Sequence, residues 1–144
     1  MAVEFRRCLP GHLIYIHAQD VQKFELSIMV TPEYAEVATS HIALSAWDGN
    51  TCVGAAGLVP LYPHRALAWA LLSASAGPHI GAIARKMRRV IADSPFPRIE
   101  MTVSVDFENG HRLAKAVGLE LETPIPLRKH GAAGNDEMIY ARVR

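Results

Sequence analysis

Leu67-Ala68-Trp69-Ala70-Leu71-Leu72 runs without a polar residue and gives way at once to Ser73-Ala74-Ser75-Ala76-Gly77-Pro78-His79-Ile80-Gly81. The first run is apolar at every position, the pattern of a strand covered by helices on both faces. The second is small and punctuated by Gly-Pro, so it can wrap a ligand and deliver the chain into a helix. The first amides of such a helix point outward without carbonyl partners, and phosphate groups settle there. Ile80, Ile83, Ala84, Met87, Val90 and Ile91 then recur at helical spacing, with Arg85, Lys86, Arg88 and Arg89 beside them. Asp93-Ser94-Pro95-Phe96-Pro97 stops that helix.

Downstream, residues 98–105 alternate as a strand, 109–117 form a helix ending in Gly118, and 119–127 with 138–143 give two more strands. Residues 129–137, rich in Gly and Ala, read as an exposed loop. Upstream, residues 3–8 form a first strand closed by Leu9-Pro10-Gly11. Leu13, Ile14, Ala18, Val21, Phe24 and Ile28 recur at helical spacing, which predicts one helix over residues 12–29 with Gln19, Asp20, Gln22 and Lys23 on its polar side. Thr31-Pro32-Glu33 starts a second helix with a cap, a first-turn proline and an acidic residue at its positive end. Residues 42–47 and 51–59 form a hairpin about Asp48-Gly49-Asn50. Gly54 and Gly57 in its second strand mark either close backbone approach or a bulge, and residues 60–65 read as a loop. The predicted order is β-α-α-β-β-β-α-β-α-β-β: an α/β fold in a single domain, 1–144.

The 144 residues carry 15 Lys and Arg against 14 Asp and Glu, for a net charge of +1. That balance argues against a generic nucleic-acid binder. A chain this long buries roughly 70% of its unfolded surface, and half of its residues are hydrophobic. The longest unbroken apolar run, at residues 66–72, is far short of the ~20 residues that span a bilayer. No apolar run follows the charges near the N-terminus, so neither secretion nor membrane insertion is expected. Cys8 and Cys52 read as reduced core thiols, which suits a cytoplasmic location. The 7 histidines show no metal-ligand spacing with one another or with cysteine, so no metal site is expected. Ser73-Ala74-Ser75-Ala76-Gly77 sits between strand and helix as a hydrolase nucleophile does, but Ser73 replaces the leading glycine and the chain is short for that sheet.

The order of elements resembles the GNAT superfamily of N-acetyltransferases over essentially the whole chain. Asp20 with Glu25, Trp47-Asp48-Gly49, Gly57-Leu58-Val59-Pro60, Trp69-Ala70-Leu71, Val103-Ser104-Val105-Asp106, Arg112-Leu113 and Gly118-Leu119 are similar to a phage-encoded GNAT-like family. Some members of that family are internal virion proteins of short-tailed phages. The resemblance implies a mixed, mostly antiparallel sheet of seven strands with four helices, and acetyl-CoA as cofactor. It implies an amine acceptor on a small molecule or a protein, a host protein included. It also leaves open a homodimer and a place in the host cytoplasm or the virion. Cofactor contacts fall on Leu71, Leu72, Ser73, His79, Ile80, Gly81, Ala82 and Arg85, with the amide near Leu71 or Leu72 polarising the thioester carbonyl.

Departures from the family pattern are equally specific. Of the three marked positions of the cofactor turn, Ala76, His79 and Gly81, only Gly81 conforms. Ala114 stands where the family places a tyrosine that protonates the departing thiolate. His111, one turn earlier, is a substitute donor or a capping histidine. Glu100, Thr102, Ser104 and Asp106 share one face of the fifth strand, which makes Glu100 the candidate base, with Ser104 beside it, unless that stripe is a polar surface. Two functions are therefore expected as alternatives: an acetyl-CoA-dependent N-acetyltransferase, or a phage protein that keeps the fold without the chemistry and acts structurally or by binding a partner.

Overall fold

The structure is a computed structural model and describes residues 2–144. Seven strands form one mixed sheet in the order β1-β2-β3-β4-β5-β7-β6. They are β1 (Glu4–Arg7), β2 (Ile42–Asp48), β3 (Thr51–Tyr62), β4 (Arg65–Leu72), β5 (Arg98–Ser104), β6 (Glu120–Leu121) and β7 (Glu137–Val143). The helices are α1 (Lys23–Met29), α2 (Pro32–Ala38), α3 (Ile80–Asp93) and α4 (Glu108–Ala116). The expected order of elements is the observed one. The contacts divide the chain into two compact units, one running up to Val59 and resuming over Trp69–Ile83, the other made of Pro60–Ala68 and Ala84–Arg144.

In the first unit, β1 pairs antiparallel with β2 from Glu4↔Trp47 to Arg7↔Leu44. β2 pairs antiparallel with β3 from Ile42↔Leu58 to Asp48↔Thr51. Gly49 closes that hairpin at φ +60, a conformation L side chains rarely take. The core gathers Leu13, Ile16, Ala35, Trp47, Cys52 and Leu71. Leu13 and Leu71 are wholly buried, each contributing about 1.5–3 kcal/mol of apolar burial. Burial pushes the Cys8 thiol up to about 12 and raises Cys52, so both are protonated fillers of the core. Gly57 is a close approach: a Cβ there would lie 2.6 Å from the Ile42 carbonyl oxygen and 2.9 Å from Nε1 of Trp69. Pairing passes from Ala46↔Gly54 to Trp47↔Cys52, so the extra residue is Val53 of β3 and Gly54 stands beside a bulge.

The helix expected over residues 12–29 is broken. Pro10–Tyr15 is a 3-10 turn, Asp20–Gln22 a second, and only Lys23–Met29 is α-helical. Between the turns the chain is extended, because the backbone of residues 17–19 bonds to the end of β4, a demand no helix can meet while using its own amides. Ile14 and Phe24, expected on the buried stripe, are 65% and 52% exposed; Val21, in the same stripe, lies outside the described side chains. Thr31 precedes α2 with Pro32 in its first turn, but the Thr31 hydroxyl donates back to the Ile28 carbonyl (2.7 Å) and does not cap.

In the second unit, β4 pairs parallel with β5 over Arg65↔Arg98, Ala66↔Ile99 and Leu67↔Glu100. β5 pairs antiparallel with β7 along its whole length, Arg98↔Val143 to Ser104↔Glu137. Ile99, Met101, Val103, Leu113 and Val117 are buried. Gly118 ends α4 at φ +95, its amide and that of Leu119 closing on the carbonyls of Lys115 and Ala114, the glycine-dependent stop of a helix. The guanidiniums of Arg142 and Arg144 hydrogen-bond to carbonyls at and beyond the C-terminal end of α3, those of Ile91, Phe96 and Ser94 among them. Two strand boundaries differ from expectation. β3 and β4 extend into residues 60–65, leaving only a two-residue tip. The sixth strand shrinks to Glu120–Leu121 with an isolated bridge at Leu127↔Glu137, since Pro124 and Pro126 have no amide to give a ladder.

Candidate functional site

The end of β4 is built from a change of partner. The Ser73 amide donates to the Val53 carbonyl at 3.0 Å, so Ser73 faces β3 and Leu72, one residue earlier, turns its backbone groups to the opposite edge. Of the two amides the family resemblance offers, Leu72 is therefore the one away from β3. The β5 ladder ends at Leu67, and β4 runs on to Leu72. There residues 17–19 lie antiparallel to it: Ala18 bridges Ser73, the Gln19 amide donates to the Leu72 carbonyl at 3.2 Å, and the Ala74 amide to the His17 carbonyl at 2.9 Å. Gln22 completes the edge. Its Oε1 accepts from the Leu72 amide at 2.9 Å, its Nε2 donates to the Ala70 carbonyl at 2.9 Å, and the residue is 5% exposed.

The turn beyond β4 is tightly wound. The buried Ser73 hydroxyl accepts from the Ser75 amide and meets the Ser75 hydroxyl at 2.9 Å. The Ala76 amide donates to Ser73, the His79 amide to Ala76, and the Ile80 amide to Gly77. Ile80 thus spends its amide inside the turn, while Gly81 and Ala82 stand in the first turn of α3 with Gly81 exposed. Nε2 of His79 lies 3.2 Å from Oδ2 of Asp48, which ties the turn to the β2–β3 hairpin. Gly77 has an ordinary φ and open space where a Cβ would go, so nothing in the turn requires a glycine there. Arg85 is exposed on α3.

The residues expected to perform catalysis lie toward opposite ends of β5 in the second unit, Glu100 near its start and Ser104 and His111 at its far end. Glu100 is buried, 6% of its side chain exposed, and both oxygens are taken. Oε1 accepts from Nε (3.1 Å) and Nη2 (2.5 Å) of Arg65, Oε2 from Nε of Arg98 (2.7 Å). Arg98 also forks onto Glu122 at 2.6 and 2.9 Å. Burial pushes the Glu100 carboxyl up, but the hydrogen bonds and charge of Arg65 and Arg98 outweigh it and hold the group below the usual carboxylate range. A carboxylate held there is a poor proton acceptor; its geometry is that of an ionic clamp at the start of β5. Ser104 is half-buried at the other end of the strand, its carbonyl accepting from the Phe107 amide. His111 lies on α4, with Nε2 2.9 Å from the Val105 carbonyl oxygen and Nδ1 2.8 Å from the Tyr140 hydroxyl. Ala114 is fully buried, so nothing polar projects from the position of the family tyrosine.

The stretch from Leu71 to Ala82 is thus contiguous in space as in sequence, whereas Glu100 stands near the start of β5 and Ser104 and His111 at its far end. Gln22, Asp48 and Tyr140 were not among the expected site residues. Gln22 sat on the polar side of a predicted helix, and no local signal announces a side chain that bonds to a strand 50 residues away. Among the described residues no group of three His, Cys, Asp or Glu side chains gathers as metal ligands would.

No protein-family model matches the sequence, and no curated protein matches it. Solved structures do. The microcin C7 self-immunity acetyltransferase MccE, solved with acetyl-CoA and AMP, aligns at a TM-score of 0.71 and 15% identity, covering 99% of this chain and 93% of that one. RimL, the ribosomal L7/L12 alpha-N-protein acetyltransferase solved with coenzyme A, gives 0.68 and 14%, covering 99% and 94%. An acetyltransferase of the GNAT family from Bacillus anthracis gives 0.67 and 17%, covering 99% and 95%. At these identities the likeness speaks for architecture, and the architecture of this chain is the fold of the GNAT N-acetyltransferases.

Proposed function

We propose that this chain is an acetyl-CoA-dependent N-acetyltransferase that transfers acetyl to an amine of a protein or a small molecule. The observation that carries the reading is the end of β4, where Leu72 turns its amide away from β3 immediately before a glycine-bearing turn and the start of α3. In this fold that sequence of parts suits a thioester carbonyl at the Leu72 amide and a pyrophosphate at the amides of Gly81 and Ala82, with Arg85 for a further phosphate. The acetyl group comes with acetyl-CoA; the chain's own part is to orient it. The amine nitrogen attacks the acetyl carbonyl carbon, the carbon–sulfur bond breaks, and coenzyme A leaves as a thiolate. The ammonium proton passes to water or to that thiolate, since Glu100 is engaged by two guanidiniums and both ring nitrogens of His111 are occupied. The acceptor arrives as the free base, and activity rises with pH as amines deprotonate.

No helix among the described residues is long and apolar enough to cross a membrane, and a cytoplasmic site of action accords with acetyl-CoA as donor. Calorimetry with acetyl-CoA tests the reading directly: millimolar ligand should produce saturable heat, and Gly81→Asp, which places charge and bulk at the pyrophosphate, should weaken it strongly. Mass spectrometry of a peptide and polyamine panel then reads acetyl transfer. Absence of heat with wild-type protein and with Gln22→Met alike overturns the cofactor assignment.

A second reading is favoured by Ala114 together with the clamped Glu100. On it the chain is a GNAT-fold protein of phage type that has lost acetyl transfer and serves inside a virion or against a host protein. Acetyl-CoA binding without acetylation of any amine in the panel would favour this alternative.

A further inference from the structure

The Leu72 amide and the Ala70 carbonyl form a donor and an acceptor on one open strand edge, and together they read an amide-like group laid alongside them. In this structure that group belongs to the protein. Gln22 presents the same two functions in reverse, its Oε1 to the Leu72 amide and its Nε2 to the Ala70 carbonyl, each at 2.9 Å. The Leu72 amide has one hydrogen, so a thioester carbonyl and Gln22 Oε1 cannot both hold it at full strength.

We propose that Gln22 is an autoinhibitory plug: an internal competitor that occupies the Leu72 amide until an acyl thioester displaces it. The proposal rests on the acetyl-CoA reading above. Three observations support it. Gln22 is buried although it is a long polar side chain, so its pairing with β4 is what keeps it inside. It stands in a short 3-10 turn, Asp20–Gln22, between an extended strap and the start of α1, a place where a small change of backbone angles moves the side chain outward. The strap itself is held to β4 by two backbone bonds, from Gln19 and to His17, so Gln22 can swing while the strap stays docked. Closure protects two backbone groups that would otherwise be buried without partners, and a bound thioester supplies the acceptor that Gln22 withdraws. A plug of this kind lowers the apparent affinity for the cofactor by the fraction of molecules in which it is open.

The direction of the effect separates a plug from a supporting residue. Gln22→Ala, and Gln22→Met, which keeps the volume without the bonds, should bind acetyl-CoA roughly 10- to 100-fold more tightly than wild type by calorimetry. Without ligand, hydrogen exchange at the Leu72 amide should be faster in both variants than in wild type, and saturating acetyl-CoA should slow it again in all three proteins. Heat from the variants and none from wild type supports the plug in its strongest form. Equal or weaker binding by folded Gln22→Met overturns the plug and leaves the cofactor reading intact. No binding by any of the three proteins overturns the cofactor reading, and the plug falls with it.

Discussion

The hydroxyl of Tyr140 lies 2.8 Å from Nδ1 of His111. Because Nε2 faces the Val105 carbonyl, which can only accept, the neutral ring carries its proton on Nε2 and takes the Tyr140 hydrogen on Nδ1. The pair therefore braces α4 against β7 and the end of β5, and burial, followed by the charge of Glu108, raises the Tyr140 pKa. Tyr140→Phe should cost about 0.5–1.5 kcal/mol in urea titration. His111→Ala should cost more, since it leaves the Tyr140 hydroxyl without its acceptor. A drop in acetyl transfer by His111→Ala that exceeds its loss of stability would reinstate this histidine as a proton donor.

Glu100→Gln separates a clamp from a base. The amide cannot hold two guanidiniums as the carboxylate does, so stability should fall by about 1.5–3 kcal/mol. Turnover on a competent amine should fall by much less than the roughly 10²-fold that removal of a general base brings. The folded-state pKa of Glu100 is lowered, so its stabilisation is present above the unfolded value of about 4.3 and is lost as pH falls through the folded value. Acid titration followed by circular dichroism should find Glu100→Gln less acid-sensitive than wild type below that value.

His12 supplies a second pH dependence with its own window. Its Nδ1 accepts from the Leu9 amide at 3.1 Å and faces the Ser45 hydroxyl at 3.1 Å. Burial first, and the charge of Arg6 second, lower its pKa from the ordinary value of 6.5. The unfolded chain then takes up this proton before the folded one, so stability is intact above about pH 6.5 and declines as pH falls below it. The difference in urea midpoint between pH 7.5 and pH 5.5 should be smaller in His12→Gln than in wild type; an unchanged difference would remove His12 from the pH dependence.

Two glycines should respond oppositely to one methyl group. Gly57→Ala meets the Ile42 backbone and the Trp69 indole, neither free to retreat, and should cost about 1–3 kcal/mol. Gly77→Ala meets nothing within 4 Å at an ordinary φ and should stabilise by about 0.4–1 kcal/mol through the unfolded chain. Thermal melts of the two variants check both signs.

What could be read from the sequence and what could not follow the range of the interactions involved. The stretch from Leu67 to Asp93 declared itself, because a wholly apolar run, a Gly-Pro turn and a 3.6-residue period are local signals. Gly49 was legible for the same reason, as the positive-φ residue of a hairpin turn, and Gly118 as the end of a helix. The break after Tyr15 was not legible: the period over residues 12–29 is helical in composition, and the competing force is the open edge of β4. Glu100 stood out as a polar residue on an apolar strand, a sound signal of something unusual. Whether that is a base or a clamp depends on Arg65 and Arg98, and the register of β4 against β5 decides it.

The strap laid along β4 also bears on how the molecule reaches its native state. Gln22 and Leu72 are 50 residues apart, so their contact needs a long loop to close and forms after the hairpin of β2 and β3. Until then residues 70–72 present a bare strand edge with apolar side chains, the kind of template on which chains add to one another. Refolding yield should therefore depend on protein concentration, and variants that loosen the strap should aggregate more readily on refolding, even where the native fold survives the substitution.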